Sequence, residues 1–131
     1  MNRSHLTPTA NACGLFIPSV VALPAIREKA VLHICDAIKA SYHGGPGARP
    51  QFVWEHKSMY FATDPVSLDR IGWEAIDAQR ATVGRKPLAE DLPDKFSTFI
   101  RRQPEHVEIC GAMGLGVWDR KKIDLRKINL T

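Results

Sequence analysis

The stretch from residue 63 to residue 82 constrains the fold more than any other part of the sequence, because it predicts a helix with a locatable start and end. Asp64 is followed by Pro65, and a capping aspartate before a proline at the first helical position is a typical helix start. Apolar residues then recur at helical spacing, and Gly84 is typical of the position just after a helix. We therefore expect an amphipathic helix from residue 65 to about residue 82.

Shorter patterns along the rest of the chain predict strands. Residues 30–38 are apolar and β-branched enough for a buried strand that ends near Asp36, with a helix as the alternative. Residues 42–50 contain three glycines and two prolines, and this composition predicts a loop. The other predicted strands are 51–54 and 59–62, joined into a hairpin by a turn at 56–58, and a bulged terminal strand within 122–130.

The chain of 131 residues is long enough for a single domain with one hydrophobic core. A second main helix is predicted from residue 104 through Met113, whereas residues 1–13 have no clear period and predict an irregular start. The polar, proline-punctuated stretch 85–96 predicts a mobile loop. Because strands alternate with helices, the expected fold class is α/β, or α+β, with a mixed β-sheet of about four strands packed by two main helices.

Composition and charge narrow the classes of function. The formal charge of +4 is mild and the basic residues are not interleaved with aromatic ones, so nucleic-acid binding is not expected. No apolar run approaches the roughly 20 residues that cross a bilayer, and the stretch 12–25, interrupted by Pro18, predicts a packed segment rather than a signal peptide. The cysteines, Cys13, Cys35 and Cys110, form no CxxC pair, which argues against an iron–sulfur cluster, and buried free thiols favour a cytoplasmic location.

Four motifs in a fixed order resemble those of a known family. They are "AVLHICDAI", "GGPGARP", "FATDPVSLDRIGWEAI" and "GAMGLGVWDRKKIDL", and the resemblance covers roughly residues 14–130. In this combination the chain resembles the C-terminal part of the family named domain of unknown function 362. Some members are associated with ferredoxin-type iron–sulfur modules, but the cysteine spacing that such a cluster requires is not present in this chain. Members are typically longer, so the resemblance implies a family portion without its upstream half, which would leave any shared site incomplete.

Three aspartates are candidate metal ligands, and each matches a position in the family pattern. Asp36 follows the predicted strand, where open α/β sheets bind ligands. Asp64 is explained by a helix cap worth about 1 kcal/mol, whereas Asp69 lies at the border of the apolar arc, where a half-buried carboxylate needs a partner. Because Mg²⁺ and Mn²⁺ prefer carboxylate oxygens, the hypothesis is a divalent metal site formed by all three, with Asp36 and Asp69 as candidate catalytic residues. A purely structural role is the alternative for each.

The glycine-rich loop is a second candidate site. His43, Gly44, Gly45 and Arg49 could bind an anion through backbone amides and a guanidinium group, although a plain connecting loop is the alternative. Two classes of function follow from these candidates. One is a metal- or anion-binding α/β domain, for which an enzymatic role stays open. The other is a non-catalytic association module that dimerises or docks to a partner or to an upstream segment.

Overall fold

The structure is a computed structural model that describes residues 12–45, 47–97 and 104–130; the predicted irregular start falls mostly on residues 1–11, outside the described residues. This part of the chain combines helices with one β-sheet, which agrees with an α+β fold. Two single turns of 3₁₀ helix lie at Pro50–Phe52, just before a strand, and at Arg120–Lys122, after the last α-helix. The main elements in chain order are α1 (Ala12–Val21), α2 (Pro24–Arg27), β1 (His33–Ser41), β2 (Val53–Ala62), α3 (Pro65–Thr82) and α4 (Glu105–Ala112).

The sheet has two strands in the described part of the chain, so the prediction of about four strands is wrong there. β1 and β2 are antiparallel and pair from His33 opposite Ala62 to Ser41 opposite Val53. Residues 123–130, predicted as a terminal strand, form neither strand nor helix. Alternation of apolar and polar residues stabilises a strand only when the strand pairs with a neighbour and its apolar side chains are buried. This segment is paired with no strand in the described part of the chain.

The predicted turn at residues 56–58 is also wrong, because β2 runs through it without a break. The pairing register shifts between Ala37 and Lys39, and on the opposite strand Lys57 adopts a φ of 54°. A β-bulge of this kind accommodates unequal numbers of residues on two strands while the pairing continues beyond it. β1 likewise continues to Ser41, so Asp36 lies in the middle of the strand and not near its end.

The long helix α3 confirms the prediction at both ends. The Asp64 carboxylate accepts hydrogen bonds from the amides of Val66 and Ser67 in the first turn. Gly84 follows the last turn with a φ of 71°, a left-handed conformation that glycine adopts at no steric cost. Val66 and Ile71 are buried, and α3 packs against both strands and α4.

The hydrophobic core lies where α4 meets the start of α3. Val66, Val107 and Cys110 are buried there, and Leu115 packs against them. The fully buried Pro18 belongs to α1, which packs on α4. The stretch 12–25 begins with a helix, which the sequence did not predict, and it is packed only in part, because Leu15 and Phe16 are 71% and 61% exposed.

Few hydrophobic side chains are buried in the described residues. Six hydrophobic residues are buried, whereas seventeen large hydrophobic side chains are exposed. Cys110 is buried as predicted, but Cys35 is exposed. Scattered apolar residues on a surface are ordinary, whereas a contiguous group of them marks an interaction site. Whether the exposed apolar residues lie next to one another therefore decides whether they indicate an interaction site.

Candidate functional site

The two faces of the β1–β2 sheet lie in different environments. Successive residues of a strand point to opposite faces, and cross-strand partners share a face. Ala37 is buried. Partial burial of the thiol first, and then the nearby negative charge of Asp69 on α3, raise the pKa of Cys35 above its ordinary value. Cys35 and Ala37 therefore point to the side of the sheet on which α3 lies, where Ala37 is buried and Cys35 is still exposed.

The opposite face, which we call the outer sheet face, is apolar and exposed. Ile34 pairs with Phe61, and Asp36 pairs with Met59, so these four side chains share it. Ile34 is 56% exposed, Phe61 is 61% exposed and Met59 is 48% exposed. The described part of the chain thus leaves the large side chains of this face in contact with solvent.

Further exposed apolar residues flank Ile34, Met59 and Phe61 along the chain. Val31 and Leu32, just before β1, are 75% and 53% exposed, and Ile38 at the register shift is 52% exposed. A fully exposed side chain of this kind presents no more than about 200 Å², so the six exposed fractions amount to at most roughly 700 Å². The largest apolar patch on a typical monomer is about 300–600 Å². We call this surface the hairpin patch; it consists of Val31, Leu32, Ile34, Ile38, Met59 and Phe61.

Asp36 places one carboxylate within the hairpin patch, and this carboxylate has a local backbone partner. Its Oδ1 accepts a hydrogen bond of 2.9 Å from the amide of Ile38. Ile38 has no cross-strand partner at the register shift, and an aspartate two residues earlier can satisfy such an amide. The structure therefore gives Asp36 a role in the β-bulge.

Asp64 joins two segments that are distant in sequence. In addition to capping α3, its Oδ2 accepts a hydrogen bond of 2.6 Å from the amide of Val117. The hydroxyl of Ser67 donates to the same oxygen over 2.8 Å. The backbone of Gly116 approaches so closely that an added Cβ would lie 2.2 Å from Asp64 Oδ1. We call this arrangement the Asp64 clamp, and the sequence predicted only its local half, the helix cap.

Asp69 is more exposed than predicted, and it contacts a different element. Its side chain is 56% exposed, and its Oδ2 lies 3.1 Å from Nε2 of His106 on α4. The buried side of α3 is formed by Val66 and Ile71 instead. The prediction that Asp69 is half-buried is therefore wrong, because it points toward the exposed flank of the α3–α4 contact.

The three aspartates have three different sets of partners. Among residues 12–45, 47–97 and 104–130, no group of three or more histidine, cysteine, aspartate or glutamate side chains is arranged to hold a metal ion. The hypothesis of a Mg²⁺ or Mn²⁺ site formed by Asp36, Asp64 and Asp69 therefore stays a prediction that the described geometry does not support.

The glycine-rich loop contains a buried histidine, His43, that pairs with the partly exposed Asp94. His43 is 6% exposed, and its Nε2 lies 2.8 Å from Oδ2 of Asp94. Gly44 has a φ of 80°, and an added Cβ would lie 2.8 Å from the ring of Phe52, so a side chain does not fit there. Arg49 donates a long hydrogen bond of 3.4 Å to the Gly44 carbonyl. These contacts fix the loop against Asp94 and Phe52. Anion binding by the loop stays a prediction.

Asp94 is the centre of a polar network in the stretch 85–96. Burial on its own would raise the pKa of Asp94, but hydrogen bonds from the amides of Phe96 and Ser97 and from His43 hold the pKa well below its ordinary value. Arg85 adds an ion pair of 3.5 Å to the same carboxylate. The stretch that the sequence predicts as a mobile loop is therefore tied to the glycine-rich loop.

Arg80 is fully buried, although its place on the helical wheel of α3 predicts a solvated position. Its Nε donates to the Lys86 carbonyl over 2.7 Å, and its Nη1 donates to the Tyr42 carbonyl over 2.9 Å. Its Nη2 forms an ion pair with Asp91. The loop that follows α3 folds back over Arg80 and supplies acceptors that the helical period does not reveal.

Surface depressions are modest in the described structure. One of about 390 Å³ is lined in part by Lys39, Trp54 and Glu55, and another of about 170 Å³ lies beside Asp64 and His33. The second is also lined by Thr63, but the Asp64 carboxylate beside it is engaged in the clamp.

Comparisons of the chain with protein-family models, with curated proteins and with solved structures gave no match. The resemblance to the domain of unknown function 362 family stays a prediction. In the described ranges, no helix combines the length and the apolar character needed to cross a membrane.

Proposed function

We propose that the chain is a non-catalytic association module that docks to a protein partner through the hairpin patch. The observation that carries this proposal is the outer sheet face, where Ile34, Met59 and Phe61 are neighbours in a paired sheet and yet remain 48–61% exposed. A contiguous apolar surface of this kind is typical of protein interaction sites.

The composition of the outer sheet face supports the proposal. On this face Ile34, Met59 and Phe61 lie beside the carboxylate of Asp36. An antiparallel sheet with one face in water usually has its hydrophobic residues toward the core and polar residues outside. Three large apolar side chains on an exposed face depart from that pattern, as a docking surface requires.

The size of the hairpin patch agrees with a docking surface. Its upper value of roughly 700 Å² is comparable to the largest apolar patches of monomers, about 300–600 Å², which are often functional. Covering apolar surface is favourable, and the affinity of a complex is then set by packing and polar complementarity rather than by area.

Both strands also have unpaired edges in the described structure, because each has a single neighbour. Edge strands leave backbone amides and carbonyls free for contacts with another chain. The metal- or anion-binding alternative has no comparable observation in its favour, because the carboxylate of Asp64 is engaged in the clamp and His43 is engaged with Asp94.

A photo-crosslinking residue at position 61, in the full chain produced in cells, tests the proposal. We expect one adduct of defined mass, and we expect it to disappear when Ile34→Glu is added to the same chain. Position 130 is the matched control, since Leu130 is 95% exposed and lies outside the hairpin patch. Crosslinking at position 61 that does not exceed crosslinking at position 130 would refute the proposal.

The crosslinking result requires a folded variant. Ile34 is more than half exposed, so Ile34→Glu should leave the thermal unfolding curve close to that of the unsubstituted chain. A loss of the adduct together with an unchanged unfolding curve assigns the effect to the surface.

A further inference from the structure

We propose that the depression of about 170 Å³ beside Asp64 binds a phosphate group through Arg27, His33 and Thr63, which line it. The site uses no residue of the hairpin patch or of the glycine-rich loop, so it goes beyond the proposed function and does not depend on it.

The three polar residues reach the depression from separate parts of the chain. Arg27 is the last residue of α2, His33 is the first residue of β1, and Thr63 lies between β2 and α3. A guanidinium group only donates hydrogen bonds, and an imidazole ring and a hydroxyl group can each donate one. Arg27 and Thr63 are exposed and His33 is partly so, which lets a dissolved ligand reach them. The depression therefore brings together accessible donors, as the oxygens of an anion require.

Arg27 and His33 differ from the other arginines and histidines because their side chains have no partner. Within the described part of the chain, neither makes a hydrogen bond, an ion pair or a ring contact. The other described arginines each contact a carboxylate, a carbonyl or an aromatic ring. The other described histidines each pair with a carboxylate or a hydroxyl group. The arginine and the histidine that lack a partner in these ranges thus line the same depression.

The carboxylate of Asp64 lies beside the depression, but its hydrogen-bonding capacity is already used. A carboxylate has about four lone-pair sites. Oδ1 accepts from the amides of Val66 and Ser67, and Oδ2 accepts from the Ser67 hydroxyl and the Val117 amide. Asp64 therefore offers no further acceptor for a cation or an ammonium group. The unpartnered donors across the depression select an anion instead.

The size and the walls of the depression suit a phosphate group. Its volume of about 170 Å³ equals that of roughly six water molecules at about 30 Å³ each, and a phosphate has five non-hydrogen atoms. A guanidinium group matches two phosphate oxygens with two parallel hydrogen bonds. Val21, Pro65 and Leu115 form an apolar part of the wall, and apolar surroundings strengthen such a charged contact.

Titration of the full purified chain with sodium phosphate, followed by amide NMR at constant pH and ionic strength, tests the site. We expect saturable shifts of amides near residues 27–33 and 63–65, with a Kd of about 1 mM or below, as two charge-assisted hydrogen bonds imply. Arg27→Gln should raise the Kd at least about 10-fold. Arg126→Gln is the matched control, because it removes the same charge from an exposed ion pair outside the depression and should change the Kd less than about 2-fold.

Two further ligands identify the source of the phosphate group. Tighter binding of glycerol phosphate than of inorganic phosphate would assign a phosphate ester, and equal or weaker binding would assign free phosphate. Acetate that binds as tightly as phosphate would overturn the assignment to phosphate. No saturation at concentrations about tenfold above the expected Kd, or equal Kd values for Arg27→Gln and Arg126→Gln, would overturn the site itself. Unchanged thermal unfolding of each variant verifies that a loss of binding does not reflect a loss of fold.

Discussion

Replacing Asp64 with alanine should destabilise the fold by more than the loss of a helix cap. The cap on α3 accounts for about 1 kcal/mol. The second contact, from the Val117 amide to Oδ2 over 2.6 Å, adds a hydrogen bond to a charged acceptor. Such bonds contribute about 1.5–3 kcal/mol, and partial exposure places this one at the lower end. We therefore expect Asp64→Ala to lower the free energy of unfolding by about 2–3 kcal/mol.

Urea unfolding followed by far-UV circular dichroism measures this free energy, and Asp119→Ala is the matched control. Asp119 also caps a helical turn, by accepting a hydrogen bond of 3.0 Å from the Lys121 amide, and this contact is local to the turn. The control should therefore cost no more than about 1 kcal/mol. If Asp64→Ala costs the same as Asp119→Ala, the contact with Val117 contributes nothing and the clamp is refuted.

A double-mutant cycle with Gly116→Ala tests the same clamp from its other side. The new Cβ would lie 2.2 Å from Asp64 Oδ1 and 2.7 Å from Val66 Cγ2, so Gly116→Ala alone should be strongly destabilising. In the Asp64→Ala background one of these overlaps is removed, and the second substitution should cost less. Additive free energies of unfolding would show that the two positions do not interact.

Two further perturbations address the polar network. Arg80→Ala removes a buried ion pair and two donors to backbone carbonyls, so it should lower the free energy of unfolding by about 3–5 kcal/mol. The control, Arg70→Ala, should lower it by under about 1 kcal/mol. Equal losses in urea unfolding would contradict the role of Arg80. Because the pKa of Asp94 is lower in the folded state, its stabilisation is present above the ordinary carboxyl pKa of 3.8 and is lost as the pH falls below it. Asp94→Asn should therefore flatten the decline of the urea midpoint between about pH 5 and pH 2, and an unchanged slope would contradict this origin.

The features that the sequence predicted correctly depend on local signals. Asp64, Pro65 and Gly84 locate α3 because a cap, a fixed φ and a left-handed glycine act within one turn of the helix ends. The turn predicted at residues 56–58 was wrong because its outcome depends on a distant strand and not on local signals. A polar tripeptide is typical of a turn, but pairing with β1 and the left-handed Lys57 keep it within a strand.

The partners of the candidate site residues could not be predicted, because they come from distant parts of the chain. Val117 lies 53 residues from Asp64, and Asp94 lies 51 residues from His43. Helical and strand periods state which side of an element is apolar, but they contain no information on which loop folds over it. Arg80 shows this most clearly, since a wheel places it in solvent while the loop carbonyls and a carboxylate enclose it.

The outer sheet face could have been recognised from strand alternation once the strands were known, because Ile34, Met59 and Phe61 then fall on one side. These large side chains add little to the stability of the isolated chain, because they are about half or more exposed. Under the proposed docking, a mutation among them should change association far more than folding. An equal loss of stability in such a variant would instead indicate a core that is only incompletely covered.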